Sequence, residues 1–189
     1  NNLRNLWEDI ELAGIGEYEL ASRNFSDDWG KDDRPLPVMG EIGRPGICIP
    51  LRDILPGTVD YRAIEYLRDE RGFDIDILGQ YYGVEYLRQS YTYGSLAGRI
   101  WTPFYRNSAL IAWTARAVDG LCQSDIRHWH SEGGLGGLLY GLGGALRCRV
   151  MCMVEGPADK WAVGRPGVAI VSKVFGQQKR QRMIEGLVG

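Results

Sequence analysis

The sequence lacks the motifs of several common enzyme classes. It contains no G-x-x-x-x-G-K-[ST] phosphate loop, and its glycine-rich run from Gly133 to Gly144 never satisfies G-x-G-x-x-G. An ATPase or helicase core is therefore not predicted. Histidines are also scarce, with His128 and His130 as the only two. Without a third ligand nearby, they are predicted to be exposed or locally hydrogen-bonded rather than metal-bound.

Cysteines are few and poorly spaced for zinc. The four cysteines form no C-x-x-C pair and no Cys–His set at zinc-finger spacing, so no zinc site is expected within these residues. Cys148 and Cys152 lie in an apolar run and are predicted to be buried free thiols. No apolar run approaches the roughly 20 residues that span a bilayer, and no secretory signal is seen. We expect a cytoplasmic protein with no membrane partner.

The composition that is present is ordinary for a globular protein, but its charge is uneven. Hydrophobic residues make up 44% of the chain and charged residues 24%, enough for one core or two small subdomains. Residues 1–40 hold nine acidic and four basic side chains, whereas residues 121–189 hold five acidic and nine basic ones. An anionic ligand is therefore expected at the C-terminal third, although arginines that only solvate a surface give the same pattern.

Hydrophobic periodicity predicts an α+β protein in three parts. Residues 1–50 indicate a short helix at Leu3–Ile10, followed by an irregular proline-containing arm. Residues 51–145 indicate a helical hairpin and then an antiparallel strand pair, Gly98–Tyr105 with Leu110–Val118. This second part is therefore a helical and antiparallel-sheet subdomain.

The third part, residues 146–189, has the alternating pattern of an α/β layer. Strands are predicted at Val150–Val154 and Val168–Val171, and helices at Pro157–Ala162 and Gln177–Ile184. Strand, helix, strand, helix in this order predicts parallel strands.

Two carboxylates flank the first strand–helix junction of this layer. Glu155 follows the predicted strand, and Asp159 lies on the first turn of the helix. Ligands of open α/β sheets bind beyond the carboxyl ends of the strands, where carboxylate oxygens suit a hard cation such as Mg²⁺. The same spacing fits an Asp159 that only stabilises its helix and a Glu155 that is simply exposed at a turn. Spacing alone leaves both interpretations open.

The sequence around these carboxylates resembles the TOPRIM fold that primases and topoisomerases share. V-E-G-P-A-D at Val154–Asp159 is similar to its V-E-G-x-x-D opening, and Gly167–Val171 is similar to its second strand. Four further runs resemble DNA primases of bacterial and phage type, in that family's order. They are Y-L-R-D-E-R-G-F at residues 66–73, G-R-I with a proline at 98–103, A-R at 115–116 and L-Y-G-L at 139–142.

The resemblance implies template-directed synthesis of RNA primers by metal-dependent nucleotidyl transfer in DNA replication. Glu155 and Asp159 would be the catalytic and metal-binding residues, with Mg²⁺ or Mn²⁺ as cofactor. Arg99, Arg116 and Arg127 would hold nucleotide or template phosphates, because guanidinium offers forked hydrogen bonds to phosphate oxygens. Without the resemblance, the arginines of the strand pair are interpreted as exposed surface side chains.

The implied partners are single-stranded DNA, ribonucleoside triphosphates and a replicative helicase, in a bacterial cell or a phage-infected host. The sequence also departs from the family pattern. Its only D-x-D, Asp74–Asp76, precedes Glu155, so the second half of the metal site is expected outside these residues and the isolated chain is expected to be inactive. Ser172 replaces a glycine, and residues 134–138 lack a basic side chain. Two alternatives remain: a non-catalytic single-stranded nucleic-acid or replisome-binding module on a primase scaffold, and a TOPRIM nuclease.

Overall fold

The structure, a computed structural model, describes residues 42–92, 94–106, 108–132, 135–171 and 177–188. These residues form two compact units that divide between Tyr140 and Gly141, whereas the sequence placed a boundary after residue 145. The predicted helix at Leu3–Ile10 and Ser172 lie outside the described residues.

A five-stranded antiparallel sheet forms the centre of the first unit. Its strands, in spatial as well as chain order, are β1 Gly46–Pro50, β2 Glu85–Ser90, β3 Arg99–Arg106, β4 Ala109–Ala117 and β5 His128–His130. The predicted strand pair is confirmed as β3 and β4. The irregular arm expected up to residue 50 is corrected by β1, a short strand that owes its hydrogen bonds to pairing with the distant β2.

Helical segments connect β1 to β2 and cross from β2 to β3. They are a 3₁₀ turn at Leu51–Asp53, helix α1 at Tyr61–Glu65 with a π-helical continuation at Tyr66–Glu70, helix α2 at Ile75–Tyr82 and a 3₁₀ turn at Gly94–Leu96. The two helices predicted in this region are therefore confirmed. Asp74 caps α2 by accepting a backbone N–H at 3.0 Å, and Gly83 ends it with a φ of 63°.

The register of the sheet decides which face each side chain takes. Tyr86, Ile100, Arg116 and His128 are successive cross-strand partners on β2 to β5. Directly opposite residues in an antiparallel ladder point to the same side, so these four share one face. We call it the helix face, because the π-helical turn contacts it where the Tyr66 hydroxyl meets Arg116.

The opposite side, the tryptophan face, holds a large apolar cluster. Trp101, Ala115 and Trp129 are successive cross-strand partners there. The buried members of the cluster are Leu87, Leu96, Trp101, Leu110, Trp113 and Ala115. Each fully buried large apolar side chain stabilises the fold by about 1.5–3 kcal/mol, so this cluster holds the strands in register. Arg99 also belongs to this face, because it pairs with Ala117, next to Arg116.

The second unit has an α/β pattern. Its elements are helix α3 Leu142–Ala145, strand β6 Cys152–Val154, helix α4 Pro157–Val163, strand β7 Gly167–Ala169 and helix α5 Gln177–Val188. The strands β6 and β7 pair in parallel, which confirms the predicted order, and the α+β class is confirmed for the described chain. No described helix is long and apolar enough to cross a membrane.

Strand β6 is shorter than predicted, and the cysteine thiols in and before it are less buried than predicted. Val150, expected to begin the strand, is 50% exposed and precedes it. Cys148 and Cys152 are free and half-buried rather than buried. Cys152 lies on β6, a three-residue strand whose side chains are only partly covered, and Cys148 lies in the segment between α3 and β6 rather than on the strand.

A buried lysine ties α5 to the residue that follows β7. Lys179 is fully buried, and its Nζ donates a hydrogen bond to the Ile170 carbonyl at 2.5 Å. Burial lowers the pKa of Lys179 from 10.5 to about 8, because the ammonium group loses hydration. The charge therefore destabilises the folded state at neutral pH.

We expect Lys179→Met to remove a pH dependence of stability. Between pH 8 and 10.5 the unfolded chain binds more protons at this lysine than the folded one, so the free energy of unfolding rises with pH. Relative to the methionine variant, the free energy of unfolding of the natural protein should rise by about 3 kcal/mol between neutral pH and the upper end of that window. Urea unfolding of both proteins at matched pH measures this gain. A difference that stays constant with pH would contradict the assignment.

Candidate functional site

Glu155 presents an available carboxylate directly after β6. Its side chain is exposed, and its backbone carbonyl accepts the Val171 N–H at 2.9 Å, which holds the strand end in place. No side chain or backbone group of the described chain forms a hydrogen bond or ion pair with this carboxylate. A carboxylate with a held backbone and no partner among the described residues is available to bind a cation or another donor.

Asp159 has a structural contact as well as exposure. Its Oδ2 accepts the backbone N–H of Gly156 at 3.0 Å across the first turn of α4. A hydrogen bond of this kind at a helix start contributes about 1 kcal/mol. One oxygen of Asp159 therefore accepts a hydrogen bond within the helix start, and the other forms no hydrogen bond with a described residue.

The two carboxylates have the right chemistry for Mg²⁺ or Mn²⁺, but they are few. Hard divalent cations prefer several oxygen ligands, and carboxylates are the usual protein donors. Within the described ranges, no three His, Cys, Asp or Glu side chains come together to hold a metal ion. Glu155 and Asp159 thus fit part of a metal site, and a complete one needs further ligands.

The three arginines predicted to hold phosphates meet at the start of β5. The Arg99 Nη1 donates to the Arg127 carbonyl at 3.4 Å, and the Arg116 Nη1 lies 3.0 Å from Nε2 of His128, the next residue. Arg99 and Arg116 reach β5 from opposite faces of the sheet. We call Arg99, Arg116, Arg127 and His128 the arginine cluster.

Arg99 is the buried member of the arginine cluster. Its side chain is fully buried, and burial lowers the pKa of its guanidinium. It donates to the Ser95 carbonyl through Nε at 3.4 Å and Nη2 at 3.2 Å, besides its contact with Arg127. Arg99 therefore links the second 3₁₀ turn to β5 and holds the Arg127 backbone. This geometry fits a positioning residue, and phosphate binding by Arg99 stays a prediction.

Arg116 and Arg127 are the accessible members. Arg116 is half-buried and donates through Nε to the Tyr66 hydroxyl at 2.7 Å, whereas Arg127 is exposed. Other arginines of this unit have acidic partners, as in Arg44–Glu85, Arg68–Asp69 and Arg88–Asp60. None of the described acidic side chains forms an ion pair with an arginine of the cluster. The cluster is therefore a local excess of positive charge that attracts anions.

His128 lies within this positive field. Its outer surface is exposed, yet its pKa is lowered from 6.5, first by desolvation and then by the charges of Arg116, Arg99 and Arg127. Since guanidinium can only donate, Nε2 of His128 must accept the Arg116 hydrogen bond, which requires a neutral imidazole. The charges of the arginine cluster thus favour the neutral form of His128.

No family model and no curated protein matches the chain. Solved structures do match it. The E. coli primase catalytic core superposes with a TM-score of 0.56 at 15% identity, covering 72% of this chain and 55% of that one. The RNA polymerase domain of Mycobacterium tuberculosis primase DnaG gives 0.56 at 15% identity, with 70% and 56% covered. The fold is that of a bacterial primase catalytic core.

A DnaG primase catalytic domain bound to single-stranded DNA also shares the primase-core fold, with a TM-score of 0.55, 16% identity, and 70% of this chain and 53% of that one covered. The chain spans about half the length of the primase structures it matches. The predicted similarity to bacterial-type primases is therefore confirmed at the level of the fold.

Sequence landmarks that are far apart in the chain meet in this primase-core fold. Tyr66, from the Y-L-x-x-R-G run, contacts Arg116 from the A-R run. Tyr66 was not singled out from the sequence, although it opens a recognised landmark. His128 was interpreted as exposed or locally hydrogen-bonded, and it is both, but its arginine partners could not be inferred without the β4–β5 register.

Close packing within the second unit explains why the third residue of the L-Y-G-L landmark is a glycine. Gly141 has a φ of 90°, and a Cβ there would overlap Lys160 and lie 3.0 Å from the Gly167 carbonyl oxygen. Lys160 is itself buried, and its Nζ donates to the Gly164 carbonyl. Only glycine allows this close approach to α4 and β7.

Proposed function

We propose that the chain is the nucleic-acid-handling part of a DNA primase that makes RNA primers on a single-stranded DNA template by metal-dependent nucleotidyl transfer in replication. One observation carries the proposal: a primase-core fold presents an arginine cluster that no described carboxylate neutralises. Two primase structures with this fold are bound to DNA, one to single-stranded DNA and one to a duplex with a 6-nucleotide overhang. They support DNA as the anionic ligand.

In this proposal the cluster arginines have two roles. Arg116 and Arg127 bind phosphates of the template or of a ribonucleoside triphosphate, because both are accessible and neither has an acidic partner among the described residues. Phosphate contacts hold a strand without reading its sequence. Arg99 holds the backbone of Arg127 in place. The family resemblance adds a replicative helicase as the expected partner of the whole protein.

We further propose that β6, α4 and β7 form the opening part of a TOPRIM fold. Glu155 and the remaining oxygen of Asp159 would hold Mg²⁺ or Mn²⁺ together with ligands from elsewhere. The ion would neutralise charge on the phosphates during nucleotidyl transfer. Glu155 contributes a charge that no described group pairs with, on a held strand end, and Asp159 contributes its charge and stabilises α4.

Binding of labelled single-stranded DNA tests the assigned arginines. We expect Arg116→Gln and Arg127→Gln each to weaken binding of an oligothymidine about tenfold, because each removes one phosphate contact. The slope of log affinity against log salt should fall by about one in each variant. Fluorescence anisotropy over a range of salt concentrations measures both quantities.

Arg52→Gln is the matched control, because Arg52 is an exposed arginine of the same unit outside the cluster. It should bind DNA like the natural protein. Equal binding by all three variants would remove the arginine cluster as the DNA site.

The small number of acidic ligands favours a second candidate, a non-catalytic single-stranded nucleic-acid-binding module. The two candidates differ in their need for a divalent ion. The primase proposal expects ribonucleotide incorporation on single-stranded DNA by the protein as its gene encodes it, and loss of incorporation in EDTA. DNA binding unchanged by EDTA without any incorporation would favour the binding module, and DNA cleavage in its place would indicate a nuclease.

A further inference from the structure

His128 differs from the three arginines of the cluster because it changes charge near neutral pH. In the described structure its Nε2 accepts a hydrogen bond from Arg116, at 3.0 Å. An imidazolium has no acceptor nitrogen, so protonation of His128 must break this contact. The state of His128 and the direction of the Arg116 guanidinium are therefore linked.

We propose that His128 is a proton-coupled phosphate ligand: it accepts the Arg116 hydrogen bond while the cluster is empty, and it takes up a proton and donates it to a phosphate oxygen when nucleic acid binds. The inference rests on the proposed function, since the ligand is taken to be a phosphate-bearing strand. One proton passes from solvent to Nε2 in each binding event, and no covalent bond of the strand changes.

The charged groups that act on His128 all have one sign. Arg116 on β4 shares its face of the sheet, Arg99 on β3 acts from the opposite face, and Arg127 is the preceding residue. The Tyr66 hydroxyl lies beyond Arg116, on the π-helical turn. In this part of the described chain no carboxylate is paired with these arginines. An added proton on His128 is therefore repelled until an anion enters the cluster.

A bound phosphate reverses this balance. Its negative charge favours the imidazolium, so the pKa of His128 rises on binding. By linkage, the strand must then bind more tightly as pH falls through the interval between the pKa of the empty and of the filled state. Proton uptake also frees the Arg116 Nη1 to donate to the phosphate, while Tyr66 continues to hold Nε. The cluster would thus gain two donors from one proton.

The chain supplies a matched control in its second histidine. His130 lies two residues along β5 and is exposed like His128. Its Nδ1 lies 3.0 Å from the Ser131 carbonyl oxygen, and its cross-strand partner on β4 is Thr114 rather than an arginine. His130→Gln therefore changes a histidine on the same strand outside the cluster.

Proton NMR of the histidine rings tests the coupling directly in the natural protein. The two ring signals are assigned with His130→Gln, and the titration is repeated with saturating inorganic pyrophosphate as the probe. We expect the His128 midpoint below 6.5 in the free protein and a rise of about one pH unit or more with pyrophosphate. A His128 midpoint that pyrophosphate leaves in place overturns the inference.

Affinity for single-stranded DNA gives a second, functional readout. From about pH 8 to about pH 5.5, the natural protein and His130→Gln should bind a labelled oligothymidine about tenfold more tightly. His128→Gln should bind with one affinity at both values, no tighter than the natural protein at the higher pH. Circular dichroism confirms that each variant is folded. The same pH dependence in His128→Gln as in His130→Gln overturns the inference.

The outcomes separate this inference from the proposed function. DNA binding that depends on Arg116 and Arg127 but not on pH overturns the role of His128 and leaves the proposed function in place. Failure of the natural protein to bind either pyrophosphate or single-stranded DNA overturns both.

Discussion

Replacing Gly98 by alanine is expected to lower the free energy of unfolding by about 3 kcal/mol or more. Gly98 has a φ of 77°, and a Cβ at this position would lie 2.5 Å from the Leu121 carbonyl oxygen and 2.6 Å from its carbonyl carbon. Both obstacles are backbone atoms, which cannot rotate away. The strain of the positive φ and the overlap therefore add.

The position of Gly98 in the sheet makes relaxation difficult. Its N–H donates to the Leu87 carbonyl at 2.9 Å, and its own carbonyl accepts the Val118 N–H at 3.3 Å. A shift large enough to clear Leu121 would break the links of β3 to its two neighbouring strands. The following residue is Arg99, so the same shift would also disturb the arginine cluster.

Alanine variants of two other glycines distinguish the cost of the positive φ from the cost of the overlap. Gly72 has a φ of 71° with nothing within 4 Å of an added Cβ, so Gly72→Ala should cost about 1 kcal/mol, from conformation alone. Gly79 lies inside α2 in open space with a helical φ, so Gly79→Ala should stabilise the protein by about 0.5–1 kcal/mol. Urea or thermal unfolding ranks the three variants. Equal losses for Gly98→Ala and Gly72→Ala would show that the contact with Leu121 is not decisive.

Glu155→Gln is expected to reduce primer synthesis about 10³-fold or more in the protein as its gene encodes it, without loss of stability. The glutamine is nearly isosteric and only removes the charge. No described group pairs with the Glu155 carboxylate, so the fold does not depend on that charge. Ribonucleotide incorporation on a single-stranded template with Mg²⁺ or Mn²⁺ measures the loss, and urea unfolding checks stability.

Two variants of the same unit serve as controls for Glu155. Asp159→Ala should lower both synthesis and stability, the latter by about 1 kcal/mol, because it removes the acceptor of the Gly156 N–H. Glu185→Gln should change neither, since Glu185 is an exposed residue of α5 whose Oε1 accepts from Gln181 on the same helix. Full synthesis by Glu155→Gln would exclude Glu155 from the metal site.

Local features of the fold were predictable because short-range interactions produce them. The cap at Asp74, the left-handed Gly83 and the strand–helix–strand order from β6 to β7 all follow from residues within a few positions. The hairpin of β3 and β4 is also local. By contrast, β1, β2 and β5 are short strands whose pairing partners are not marked by any nearby pattern, and they were missed.

The candidate site shows the same division between local and distant information. Family resemblance identified Arg99, Arg116 and Arg127, and the structure brings them together at β5. The resemblance could not show that the Arg99 side chain is buried next to backbone carbonyls while the Arg127 side chain is exposed. That difference arises because Arg99 lies on the inner strand β3 against the Ser95 carbonyl, whereas Arg127 precedes β5, the edge strand of the sheet.

The sequence by itself determined the α+β class, the principal helices and hairpin, and the carboxylate that follows β6, since each depends on the order and spacing of neighbouring residues. Only the tertiary structure decided that Tyr66 contacts Arg116, that His128 accepts from the same arginine, and that Arg99 is enclosed. Those contacts join residues 50, 12 and 28 positions apart. They exist because the burial of the tryptophan face sets one register for the sheet, and that register assigns each arginine its surroundings.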